Sequence, residues 1–266
     1  MEQKWRQIAT ASGAKAGDWR QMIETKIEVK AADGAAEAYL YTPDGEGKHP
    51  AVLFLTDIMG IREANRGMAG RVAGAGFTVL MPNIFYRATK LPVFDFQPKF
   101  GDERTMKRFG ELRAALDDHA MSRDSIAYVS FLEANPAVKS GPMAVVGYCF
   151  TGAMALRAAA ARNDAVAFAA SFHCGNLATD AADSPHLLLP RIKARLMFGH
   201  AKDEHSVPAE MIAKLDAALK QWGGNYDSET YNAGHGWTVP GVPAYNEAEA
   251  ERHWEKLLPA MKAAVG

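Results

Sequence analysis

Five short runs set the strongest limit on how this chain folds. "AVLFL" (51–55), "FTVLM" (77–81), "MAVVG" (143–147), "AVAFAASF" (165–172) and "ARLMFG" (194–199) are apolar without strict alternation. Strands covered on both faces of a parallel sheet read this way, because neither face has to meet water. Helical patterns lie between and after the runs. In 209–222, Met211, Ile212, Leu215, Leu219 and Trp222 fall at helical spacing, and Gly223-Gly224 supplies a stop. A last helix near 246–264 carries Trp254, Leu257, Leu258 and Met261 on one face. Upstream, "IETKIEVKAADGAAEAYLYTP" (23–43) alternates about a turn and is expected to form an antiparallel hairpin entering the sheet. The expectation is an α/β domain with a mostly parallel central sheet, helices on both faces and right-handed crossovers. Sites in such folds lie beyond the carboxyl ends of the strands. With no repeat or linker in view, residues 1–24 read as an N-terminal extension and 25–266 as one domain.

Composition narrows the functional classes. Of 266 residues, 30 are basic and 31 acidic, a formal net charge of −1. No basic face is implied, so nucleic acid and anionic membrane are not expected partners. A small molecule is, handled by a monomer or small homo-oligomer. Two cysteines make no disulfide framework, and no CxxC or Cys/His cluster points to a metal. The N-terminal "MEQKWRQIATASGAKAGDW" lacks the apolar core of a signal peptide, and no run of 18 apolar residues occurs. The expected location is a reducing cytoplasm, where a cysteine remains a thiol.

One of the two cysteines sits where chemistry is expected. In "VVGYCFTGAM" (145–154), Cys149 follows a strand and precedes the helical "FTGAMALRAAAAR", between Gly147 and Gly152. A strand–turn–helix junction of this kind is the nucleophile elbow, which lifts a side chain above the sheet at the positive end of a helix. The strict G-x-C-x-G pattern would place glycine at 151, where Thr151 stands. A catalytic thiol needs a base and a group to orient it. Asp203 lies just past the strand "ARLMFG", in "HAKDEHSVP", and His235 lies between glycines in "YNAGHGW". Cys149, Asp203 and His235 thus follow the nucleophile–acid–histidine order of α/β-hydrolases. Glu204 is a rival acid, although distance from the strand favours Asp203. His173, His200 and His205 are rival histidines that read better as loop or pocket-lining residues, and Cys174 reads as a buried or pocket thiol.

Together "GYCFTG", "GHAKDEHSVP", "GHGW" and "AYNEAEAERHWEKLL" resemble the dienelactone hydrolase family from about residue 25 to the C-terminus. The resemblance implies an α/β-hydrolase fold and a Cys149–Asp203–His235 triad acting on esters or lactones. It also draws in "LFLTDIMGI" (53–61). By the resemblance, Asp57 takes the place of an acidic residue that modulates the resting thiol, and the backbone N–H groups of Ile58 and Phe150 form the oxyanion hole. Taken alone, Asp57 reads equally well as a helix N-cap. The family's carboxylate-binding arginine four residues past the histidine is Val239 here, and Arg104 in "GDERTMKR" is the nearest match to a second. His173 is placed near the substrate. The segment 87–109, rich in aromatics, reads as a lid or as a plain surface excursion.

These residues predict thiolate attack on an activated ester or enol lactone, an acyl thioester, and its hydrolysis by water activated at His235, without metal or organic cofactor. Two other readings remain. An alcohol or thiol acceptor would make the protein an acyltransferase. A non-catalytic scaffold would bind a small ligand or sense oxidants through Cys149.

Overall fold

The computed structural model describes residues 22–203 and 205–266. Most of the expected extension, residues 1–21, and the rival acid Glu204 therefore lie outside the described residues. The chain runs β1 (Met22–Ala31), β2 (Gly34–Pro43), β3 (Ala51–Leu55), α1 (Glu63–Gly74), β4 (Thr78–Pro82), α2 (Glu103–Ala114), α3 (Asp118–Ala134), β5 (Met143–Tyr148), α4 (Thr151–Ala161), β6 (Val166–Phe172), β7 (Arg195–Ala201), α5 (Ala209–Trp222), β8 (Tyr226–Tyr231) and α6 (Glu247–Val265). The expected domain boundary at residue 25 falls inside β1, which begins at Met22.

The strands form one eight-stranded sheet in the order β1-β2-β4-β3-β5-β6-β7-β8. The β1–β2 hairpin joins antiparallel through β2 to β4, and all later pairs are parallel. Every residue of β3, β4 and β5 is buried, which is why these runs are apolar on both faces. At the far edge, β8 ("YDSETY") is mixed in burial and largely polar, so it carried no strand pattern to read from sequence.

Helices α3 and α4 pack together, Arg157 of α4 pairing with Asp118 of α3 at 2.6 Å. Helix α1 meets α6: Arg71 binds Glu251 and lies 5.0 Å over the Trp254 ring. The segment expected as a lid is part loop and part helix, since α2 begins at Glu103. Its loop is fastened at several points. Arg87 bridges Asp33 of the hairpin turn and the fully buried Asp124 of α3. Asn83 donates to the Thr89 carbonyl at 2.9 Å, and the Glu37 carboxylate accepts from Leu91 N–H at 2.6 Å.

The order of the central strands positions the site. Leu55 pairs with Gly147 and Tyr148 with Phe172, so the loops after β3, β5 and β6 emerge side by side at the carboxyl edge. Asp57, Cys149 and His173 belong to those three loops.

Candidate active site

Cys149 turns the chain from β5 into α4 with φ +59°, a left-handed conformation that costs a non-glycine residue of order 1–3 kcal/mol. Packing holds it there. A Cβ on Gly147 would come within 2.2 Å of the Thr151 carbonyl oxygen, and one on Gly152 within 2.0 Å of Ser171 Oγ. Both glycines are therefore required by close approach, and the sharp turn has the shape expected of the elbow. Thr151 has its own task. Its hydroxyl accepts from Tyr148 N–H at 2.9 Å and donates to the Tyr148 carbonyl at 2.8 Å, with the Leu55 carbonyl at 3.2 Å. The departure from glycine at 151 ties the end of β5 to β3 across the elbow.

The sulfur of Cys149 lies 3.1 Å from Nε2 of His235. The backbone N–H groups of Phe150 and Ile58 also point at it. Burial pushes the thiol up to about 11, and the Asp57 charge adds to this, while the Phe150 N–H, the Arg113 charge and the Ile58 N–H pull the other way. Burial likewise lowers the His235 imidazole below its ordinary 6.5, with Arg113 assisting and Asp203 and Asp57 opposing. Burial thus favours the neutral thiol and the neutral imidazole of this pair over the ion pair.

Asp203 is brought to His235, but to its backbone. Despite partial burial, its carboxylate is held below the ordinary range by the Ser206 hydroxyl and by the N–H groups of His205, Ser206 and His235. The His205 contact is 3.1 Å. His235 Nδ1 is buried with no hydrogen-bond partner among the described residues. Since Nε2 faces the thiol, Nδ1 is the nitrogen an orienting carboxylate would hold.

His173 does not line an open pocket. It is fully buried, and its Nδ1 accepts the Cys149 N–H at 3.2 Å while Nε2 meets Thr238 Oγ at 2.8 Å. Accepting at Nδ1 places its proton on Nε2, so the ring bridges the cysteine turn and the loop that carries His235. That loop is anchored further by Trp237, stacked on Tyr231 at 4.2 Å. Cys174 is buried, its Cβ 2.7 Å from where a Gly152 Cβ would stand, and its thiol donates to the Gly175 carbonyl at 3.1 Å. His200 is buried with Nε2 3.1 Å from Ser228 Oγ, away from the thiol.

Arg104 is not brought to the sulfur either. It pairs with Asp95 at 3.1 Å, lies 3.9 Å over the Phe96 ring, and lines a cavity of about 430 Å³ that none of Cys149, Asp203 and His235 borders. The guanidinium that acts on both Cys149 and His235 belongs to Arg113, in the last turn of α2. It is exposed and has no side-chain partner among the described residues. Sequence reading missed it because nothing in "GELRAAL" separates it from the neighbouring arginines. Arg62 was missed for a similar reason. Its two terminal nitrogens grip the Asp57 carboxylate at 2.7 and 2.8 Å, whereas Asp57 had read as a thiol partner or a helix cap.

Comparison with known proteins points to one family. The sequence profile of the dienelactone hydrolase family matches residues 36–265. A protein of Methylorubrum extorquens named "Putative carboxymethylenebutenolidase" is 23% identical over 260 residues, covering 94% of this chain and 84% of its own length. A Bradyrhizobium protein named "Probable 2-oxo-3-(5-oxofuran-2-ylidene)propanoate lactonase" is 26% identical over 227 residues, covering 83% of this chain and 86% of its own. The crystal structure titled "Putative Dienelactone Hydrolase" from Klebsiella pneumoniae superposes with a TM-score of 0.80 at 19% identity, covering 92% of this chain and 99% of that one. That likeness is one of fold, and the fold is the α/β-hydrolase sheet expected from the sequence.

Proposed function

This chain belongs to the dienelactone hydrolase family, and from that premise we propose that it is a cysteine-dependent hydrolase of small lactones or carboxylic esters working through an acyl thioester. One observation carries the reading: an imidazole nitrogen 3.1 Å from Cys149 Sγ, with the N–H groups of Ile58 and Phe150 aimed at the same sulfur. As the sulfur attacks the substrate carbonyl, its proton passes to His235 Nε2. The carbonyl oxygen becomes an oxyanion held by the two backbone N–H groups. Collapse expels an enolate or alkoxide, which takes the proton from His235. Water, deprotonated by His235, then cleaves the thioester and restores the thiol. Asp203 serves as the orienting acid if its carboxylate swings from the His235 amide to Nδ1. Nothing in this scheme calls for a metal or organic cofactor.

The substrate class follows from charge. The two named relatives carry names of enol lactones bearing a carboxylate. The exposed guanidinium of Arg113, whose charge is felt at Cys149, suits such an anion. A reducing compartment such as the cytoplasm suits the free thiol that the chemistry needs.

Cys149→Ala is expected to abolish turnover of an activated aryl ester while circular dichroism stays native, and the parent enzyme is expected to show an acyl adduct on Cys149 by mass spectrometry. Full activity in the variant would end the proposal. That Nδ1 has no partner among the described residues favours a second reading, a scaffold that binds ligand or senses oxidants without turnover. It predicts peroxide reactivity at Cys149 and no acyl adduct.

A further inference from the structure

Arg62 occupies the N-cap position of α1, yet it makes no capping hydrogen bond with its side chain. Its side chain folds back instead onto Asp57. Nη1 donates to Oδ1 at 2.7 Å and Nη2 to Oδ2 at 2.8 Å, the two-pronged geometry of a strong guanidinium–carboxylate pair. Nη1 also lies 3.4 Å from the Gly60 carbonyl. The same Asp57 Oδ1 accepts the Met59 N–H at 2.9 Å, and Gly60 N–H donates to the Asp57 carbonyl at 3.0 Å. Residues 57–62 thus form one clasped turn, with Asp57 buried and the guanidinium about a quarter exposed. Ile58, whose N–H faces the sulfur, sits inside that clasp.

We infer that Arg62 is a positioning residue: by clamping Asp57 it fixes the turn that aims the Ile58 N–H at the acyl oxygen, and it keeps Asp57 from serving as the thiol's base. The inference rests on the reading of Cys149 as nucleophile and adds a residue and a role to it. With both oxygens engaged, Asp57 has a bracing task rather than a proton-accepting one, and the thiol proton has His235 as its destination. Removing the guanidinium leaves a buried carboxylate with one backbone donor beside the sulfur. Cys149 is then faced by Asp57 from the β3 loop, Arg113 from α2, His235 from the β8 loop, and His173 and Cys174 from the β6 loop. The unscreened charge of Asp57 disfavours thiolate among them.

The test uses the intact enzyme and two readouts. The first is the pH profile of iodoacetamide alkylation at Cys149, read by peptide mass spectrometry and independent of turnover. Arg62→Ala is expected to shift the profile to higher pH, and Arg62→Lys to shift it less. The double variant Arg62→Ala/Asp57→Asn is expected to return to or below the parent. The second readout is steady-state kinetics on a neutral aryl ester. Arg62→Ala should lose about 10-fold or more in kcat, short of the ~10²–10³ for deleting an oxyanion donor, with KM little changed. The double variant should stay low in kcat, because the clasp is still missing. An unmoved alkylation profile with unchanged kcat overturns the inference. So does a KM that rises only for anionic substrates, which would make Arg62 a substrate contact. Loss of alkylation or turnover through Cys149→Ala addresses the nucleophile alone, so the two failures are separable.

Discussion

Cys149 and His235 meet at hydrogen-bond distance, while Asp203 reaches the backbone of His235 and Nδ1 is buried without a partner among the described residues. On the proposed mechanism, Asp203 and its sequence neighbour Glu204 are the two carboxylates that substitution can separate. Asp203→Asn is expected to lower kcat by about 10⁴-fold, the scale seen when a triad histidine loses its orienting acid. Glu204→Gln is expected to leave it largely intact, and stopped turnover assays on both variants decide between them. Because burial lowers His235, the acid limb of kcat/KM should fall below pH 6.5, since the imidazole must be neutral to take the thiol proton. The loops that carry Cys149, Asp203 and His235 were legible as residue types at strand ends. Arg62 and Arg113 were not, because a guanidinium gains its role from what it faces, and neither partner is near enough in sequence to form a motif.

At the scale of elements, the loop before α2 meets the turn after β3 where Val93 packs on Gly60. Gly60 has φ +70°, and a Cβ built there would stand 2.4 Å from Val93 Cγ2. Val93 is itself buried, and Arg108 of α2 reaches its carbonyl at 3.3 Å. The loop before α2 therefore seats a side chain in the socket that glycine leaves. Gly60→Ala is expected to cost about 1–3 kcal/mol through backbone strain and overlap, read as a lower denaturation midpoint, together with a drop in kcat. Adding Val93→Ala should recover part of both. An unchanged midpoint would mean that the loop is not seated on the turn. The expected lid was thus legible as an excursion with aromatics, but not its division into loop and α2. Helix α2 has only Thr105, Phe109 and Leu112 buried, too thin a stripe to stand out amid charged neighbours.

Taken whole, the molecule hides several histidines that stay neutral when folded. Burial lowers His173, His200 and His235, and takes His253, wedged between Phe172 and Trp254, down to about 3. A folded pKa below the unfolded one means that the unfolded chain binds protons first. The stability these groups contribute is full above pH 6.5 and is lost as pH falls below it, for His253 down to about 3. Urea midpoints measured between about pH 7 and 5, where most carboxylates remain ionised, should therefore drop. His253→Phe should flatten that slope, and an equal slope in variant and parent would refute the assignment. Among the described residues no helix is long and apolar enough to cross a membrane. The sequence by itself determined the sheet, because strands buried on both faces have to be apolar throughout, and it determined the elbow, because only glycine admits the approaches made at 147 and 152. Tertiary structure alone decided that Arg113 acts on the sulfur and that Arg62 clamps Asp57. Coulomb interactions depend on distance and burial, and Asp57, Arg62, Arg113 and His235 are set at those distances by the order in which β3, β5 and β8 lie in the sheet and by the seating of α2.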